Sequence, residues 1–254
     1  MRKRIVFIIL IGALWISTIP VSAHAGGSVG GGSGSSSGGS SASPNNDTET
    51  HPPAKAGSQI LSLLPYLLVC GAFTYAGAYV MHKKHREGHQ LMKQLEKLDP
   101  IWNEEAMNHY VTDTFYAVQY AWMEMDIEKL KEYLTPRLIE QWTAKLAWME
   151  QREEVSVMKD IHLKGRQIMG VYDYLDDDRD FVWYYIKASM IDYNQNIRTL
   201  EVTEGDAEHS ITFEEYWKFQ RVGSRFLLDD VMGIDEVAAE AFRSMSESVT
   251  NEDS

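Results

Sequence analysis

From Ser58 to Met81 the sequence runs about 24 residues without a charged side chain, and His82-Lys83-Lys84-His85-Arg86 follows at once. A helix rises about 1.5 Å per residue, so a run of this length crosses the ~30 Å hydrocarbon core of a bilayer with some tilt. Pro65 and the small residues Gly71, Ala72, Ala76 and Gly77 do not forbid a helix there, because in lipid neighbouring groups re-satisfy a broken backbone hydrogen bond. Tyr66 and Tyr79 stand near the ends, where aromatic rings favour the interface. The expectation is a transmembrane helix over residues 58–81. The positive cluster marks its cytoplasmic end.

A second apolar segment stands at the start. Arg2, Lys3 and Arg4 precede a run from Ile5 to Ile19, Pro20 breaks it, and Ala23-His24-Ala25 offers small residues for cleavage. That three-part order is the pattern of an export signal over residues 1–25, with an uncleaved anchor as the alternative. Residues 26–57 are mostly Gly, Ser, Asn, Pro and Ala, too poor in apolar surface to offset the entropy of ordering, so they read as a disordered extracytoplasmic stretch. If the signal is cleaved, the helix at 58–81 brings the chain inward. If it stays, two helices form a hairpin with both ends inside. Either way residues 82–254 are expected in the cytoplasm of a membrane-held chain. Cys70, alone in the sequence, excludes an intrachain disulfide and sits in the apolar run.

Charge is unevenly spread. Residues 99–254 hold 15 Lys and Arg against 33 Asp and Glu, a formal −18. Such a domain repels nucleic acid and anionic lipid, and a nucleic-acid partner is excluded on that ground. The segment 82–99 is instead a basic juxtamembrane neck, in which Lys83, Lys84 and Arg86 are the membrane-surface candidates. His82, His85 and His89 fall at helical spacing, but the neighbouring cations repel a metal ion, so no metal site and no cofactor is expected.

The remaining residues read as helices first and sheet second. Met107, Tyr110, Val111, Thr114, Phe115, Val118, Trp122 and Met125 recur at three- and four-residue steps, one stripe of a helix from about Glu104 to Tyr133, with Asp126 as an interruption or a new start. Thr135-Pro136 stops it and opens the next helix, which runs to about Arg152. Gln167–Leu175 is strand-like, Asp176-Asp177-Asp178-Arg179 is a turn, and Phe181–Tyr193 is the clearest strand. Glu204-Gly205-Asp206 reads as a loop, followed by strands through Ile211–Phe219 and Phe226–Val231. The acidic tail from 234 leaves room for a short helix near Val237–Met245. Helices followed by an antiparallel sheet predict an α+β domain over 100–233.

The order Phe115…Gln119…Ala121-Trp122…Asp126…Leu130…Tyr133-Leu134-Thr135, then Ile191-Asp192, then Trp217-Lys218-Phe219-Gln220-Arg221 resembles the Tim44-like family. That family is the C-terminal domain of the mitochondrial inner-membrane import-motor scaffold and its bacterial membrane-anchored relatives. The likeness covers roughly residues 100–232. It implies a nuclear-transport-factor-two-like cone: a curved antiparallel sheet wrapped around helices, with an apolar hollow. In the mitochondrial relative the domain is taken to meet the inner membrane and the translocation channel. The charged helical region that recruits a chaperone has no counterpart in front of this domain, so that role does not carry over.

Two functional classes follow. The first is a scaffold that binds a membrane protein or a lipid-like ligand, with Trp217, Phe219, Arg221 and Trp122 as candidate contacts. Against that role, the tryptophans at 122, 142, 148, 183 and 217 suit a core, and Arg221 suits a cation capping the sheet edge. The second class is an enzyme. A cone can bury a carboxylate and raise its pKa for proton transfer. Asp192 is then the candidate base, with Tyr184 or Tyr172 as donor, and pairing of Asp192 with Arg221 or Lys187 is the plainer alternative. A single carboxylate without a second catalytic partner does not make a mechanism. No phosphate loop, nucleophile elbow or calcium-loop spacing is present. The expectation is a non-catalytic binding module.

Overall fold

The computed structural model describes residues 56–249, with side chains from Tyr75 onward. The expected signal segment (1–25), most of the Gly/Ser-rich stretch (26–57) and the end of the tail lie outside the described residues. So do the side chains of most of the apolar run.

The chain enters through one long helix, α1, Ala56–Leu95. Among the described residues, no helix is long and apolar enough to cross a membrane. The C-terminal turns of α1, within the basic neck at 82–99, pack into the folded domain. Met92 and Leu95 are 1% exposed. Gly88 lies so close to the sheet that an added Cβ would overlap Ile168 Cγ2. Glycine is what lets the helix backbone settle there.

Asp99 caps a 3₁₀ turn at Pro100–Trp102, and Asn103 caps α2, Glu104–Met123. Each accepts a hydrogen bond from an otherwise orphaned backbone N–H. The helical stripe breaks after Met123, at the interruption expected near Asp126. Asp126 starts a separate short helix, α3, Ile127–Leu130, by accepting from Lys129 N. Thr135 caps α4, Pro136–Gln151, with Pro136 at its first position.

Four long strands follow: β1 Glu154–Asp173, β2 Phe181–Asn196, β3 Val202–Val222 and β4 Arg225–Gly233. A two-residue strand, β5 Met245–Ser246, completes the order β4-β3-β2-β1-β5. All neighbours are antiparallel except β1 and β5. The architecture is α+β, with a bent antiparallel sheet holding α2 and α4 on its inner face. Bulges supply the bend: Asp160, at φ 50, sits in the irregularity between Lys159 and His162.

Three expectations change. β1 begins 13 residues before Gln167. The expected loop at Glu204-Gly205-Asp206 is strand, because Gly205 takes φ +85 and its missing Cβ admits the Asp192 carbonyl. The expected tail helix is an extended strap, with one 3₁₀ turn at Ala239–Ala241.

The core runs from α1 through α2 and α4 to the inner sheet face, centred on Trp102, Phe115, Trp142, Trp217 and Phe219. The hollow that the resemblance implies is filled at these positions by aromatic side chains. A satellite cluster of Met169, Tyr216 and Phe242 lies apart from this core, with Met81, Trp183 and Tyr185 packed against it.

Candidate functional site

Three of the four candidate contact residues are interior. Trp122 is 4% exposed and meets Trp142 edge-on at 5.2 Å. Trp217 and Phe219 are fully buried. Trp217 lies 5.6 Å from Phe115, and Phe219 lies 6.0 Å from Tyr184 and 6.1 Å from Tyr110. The Trp217 indole N–H donates to Glu215 Oε2 at 2.9 Å. These rings tie the sheet to α2. Trp148, grouped with the core by its type, instead stands 55% exposed with the Arg152 guanidinium 3.9 Å above its ring.

Arg221 is also inward. Its two terminal nitrogens reach Asp99 and Asp177 at 2.8 Å and Asp180 at 3.2 Å, and its Nε donates to the Gly223 carbonyl. One cation thus joins the domain entry, the β1–β2 turn and the β3–β4 hairpin. Burial alone would lower the Arg221 pKa, but the carboxylates around it outweigh that and raise it. Asp180 has no exposed surface. Burial pushes its carboxyl up to about 6, against the Tyr174 N–H and Arg221, which favour the charged form.

Asp192 is 2% exposed on the inner face, in register with Met158 on one side and Asp206 on the other. Of the cations considered for it, Arg221 holds the aspartates above, and Lys187 holds Glu214 at 2.6 Å. Of the candidate donors, Tyr172 accepts from Arg243 N, and Tyr184 is buried against Phe219. The structure does not gather Asp192, Tyr172 and Arg221 into one site. On the neck, Lys83 and Lys84 pair with Glu87 at 3.9 and 3.8 Å, and Arg86 is exposed.

Two surfaces escaped the sequence. The first is an open cleft of about 780 Å³ at one end of the sheet, bordered by Arg137, Tyr174, Arg179, Phe181 and Asp229. Asp229 is its hub, taking hydrogen bonds from Thr135 Oγ1 at 2.8 Å, Lys218 at 3.1 Å and Arg137 at 3.3 Å. Burial would raise the Asp229 carboxyl, but these donors hold it below its ordinary value. The cations of this cleft are largely spent on its own carboxylates.

The second is the outer face of the sheet. Phe242, carried by the C-terminal strap, lies 4.5 Å from Tyr216 and 5.4 Å from Trp183, and Tyr216 lies 6.2 Å from Tyr185. The strap is fixed by Arg243 N donating to Tyr172, Val171 N donating to Ser244, and the β5 pairing. A signal existed for this layer. Phe181, Trp183 and Tyr185 alternate with Val182, Tyr184 and Ile186, so both faces of β2 are apolar. A strand apolar on both faces is covered on both.

None of the curated proteins compared matches the chain. Among solved structures, the intermembrane space region of the chloroplast protein ARC6 is similar at 17% identity and a TM-score of 0.36, over 52% of this chain and 97% of that one. The Tim44-like domain model matches residues 89–231, more than half of the sequence, and the chain belongs to that family.

Proposed function

We propose that this protein is a non-catalytic scaffold of the cytoplasmic membrane face. The segment 58–81 would anchor it, and the Tim44-like domain would bind a neighbouring membrane protein in protein translocation or membrane-complex assembly. The carrying observation is the continuity of α1. One helix contains the uncharged run and ends with Met92 and Leu95 in the domain core. A domain seated on its own anchor holds one orientation to the bilayer, which suits a scaffold better than a domain on a loose linker. The basic residues after Met81 favour the cytoplasmic side for the domain.

A ligand-binding or catalytic cone is the weaker reading, because bulky rings such as Trp217 and Phe219 fill the inner face. Carbonate extraction of native membranes tests the proposal. The full chain should stay in the pellet, and deletion of residues 58–81 should move it to the supernatant. A full-length chain released by carbonate would overturn the anchor.

A further inference from the structure

The outer aromatic face begins where the uncharged run ends. Tyr216 Oη lies 3.9 Å from Met81 Sδ, and Met81 packs against the Met169–Tyr216–Phe242 cluster. Met81 is the last residue before the basic neck. On the anchor reading proposed above, on which this inference rests, the face therefore lies at the level of the headgroups. That layer is some 5–7 Å deep on each side, about one turn of helix.

Its chemistry is aromatic and acidic. Trp183 and Tyr185 are half-buried, so part of each ring is open. Glu214 lies against Tyr185 but is already held by Lys187 at 2.6 Å. Glu240 acts on Tyr216 and is itself exposed, as are Asp235 and Glu236 on the same strap. Arg243 is an exposed cation on the same strap, and Lys83 and Arg86 are exposed on the neck. The lysines of the neck are drawn to Glu87 along their own helix.

Aromatic rings at this level suit either lipid or protein, and charge decides between them. Residues 99–254 carry −18, and the strap places Asp235, Glu236 and Glu240 of that total at the surface, so an anionic leaflet is repelled. A positive partner at the same height is attracted. Cytoplasmic flanks of membrane helices carry an excess of Lys and Arg, and they leave the bilayer at the level where this face begins. Their cations can sit over Trp183 and Tyr185 and face Glu240.

The geometry points to the outer sheet face, around Trp183, Tyr185 and Glu240, as a docking surface for the Lys/Arg-rich cytoplasmic flank of a neighbouring membrane protein. The occupant is a basic peptide segment held in the headgroup layer, bound through cation–π contacts and charge. Phe242 and the strap shape the floor of the site. Lysine side chains extend far enough from an adjacent helix to reach it without entering the domain interior.

The test places the photoreactive residue p-benzoylphenylalanine at position 185 of the full-length chain, in nanodiscs of zwitterionic phosphatidylcholine. A single-span synthetic helix is added with either a Lys/Arg flank or a Ser/Gly flank. The expected result is crosslinking to the cationic flank roughly five-fold above the neutral one, falling to the neutral level with Glu240→Lys. It should also fall in 0.5 M salt, where screening shortens to a few ångströms. A second probe at exposed Glu236 should give the same preference, which guards against a local folding defect at 185. Equal labelling of both flanks, or crosslinks only to lipid or to a second copy of the chain, overturns the inference. A chain that carbonate strips from the bilayer defeats the anchor instead. One that stays in the bilayer yet ignores the flank defeats this inference alone.

Discussion

Replacing Trp217 with Ala is expected to cost about 4 kcal/mol of folding stability. The ring has no exposed surface, and Phe115 on α2 and Phe219 on β3 pack against it. Truncation removes a ring contact between helix layer and sheet, opens a cavity, and takes a donor from the buried Glu215. For a domain of this size each kcal/mol lowers Tm by about 2–4 °C, so a fall of roughly 12 °C is predicted. The measurement is thermal unfolding of the full-length chain in detergent, followed by near-ultraviolet circular dichroism. Trp148→Ala is the control: its ring is 55% exposed, and the change should stay within about 1 kcal/mol. Equal effects at the two positions would contradict the burial described here. Lost partner binding in Trp217→Ala would report a weakened fold rather than a lost contact.

Arg221→Ala should cost about 3 kcal/mol at pH 8, by leaving Asp180 buried without its cation. The dependence on pH is the sharper signature. Asp180 has a folded pKa of about 6, above its ordinary value. Its favourable contribution is therefore complete below about pH 4 and is lost as pH rises through 6. In the variant the carboxyl loses its nearest positive charge and its pKa rises further, so at pH 5 it is protonated and the penalty should shrink. Urea unfolding of Arg221→Ala and wild type at pH 5 and pH 8 reads this directly. Asp229 titrates in the opposite sense. It is held below its ordinary value, so its contribution is present above pH 4 and fails as pH falls through its folded pKa. A penalty for Arg221→Ala that grows toward pH 5 would contradict the account.

Local chemistry was the readable part of this fold. Asp126 starts a helix, and Thr135-Pro136 starts another, because a side-chain oxygen and a fixed φ act within three residues. Phe181–Tyr193 was plain as a strand because its residues are aromatic and branched, and β2 extends it to Asn196. Glu154–Arg166 was not, because charged and small residues such as Glu154, Ser156, Lys159 and Gly165 interrupt the pattern and the strand gains its identity from β2. Gly205 looked like a loop residue, yet it pairs with Tyr193 inside β3, where its positive φ and missing Cβ let the strands approach. The strap was unreadable for a different reason. Phe242 finds its partners at Trp183 and Tyr216, dozens of residues away.

The candidate site shows the same limit. Trp217, Phe219 and Arg221 stood out by type, but type does not tell whether a side chain points into the core or out of it. Alternation along β3 puts Trp217 inside and Tyr216 outside. Only the strand pairing and the crossing of α1 reveal that the outer face is the one beside Met81. Arg221 was readable as a cation capping the sheet edge, and the three aspartates around it give that role its content.

The central claim is that α1 carries the chain out of the bilayer and directly into the domain, and the chain's single cysteine tests it. Cys70 lies within the uncharged run. Sealed inside-out vesicles are treated with a membrane-impermeant maleimide before and after detergent, and compared with a Cys70→Ala, Trp148→Cys chain. The account predicts that Cys70 stays unlabelled until detergent is added, while position 148 labels fully in the intact vesicles. Full labelling of Cys70 in intact vesicles, or protection of position 148, would contradict it.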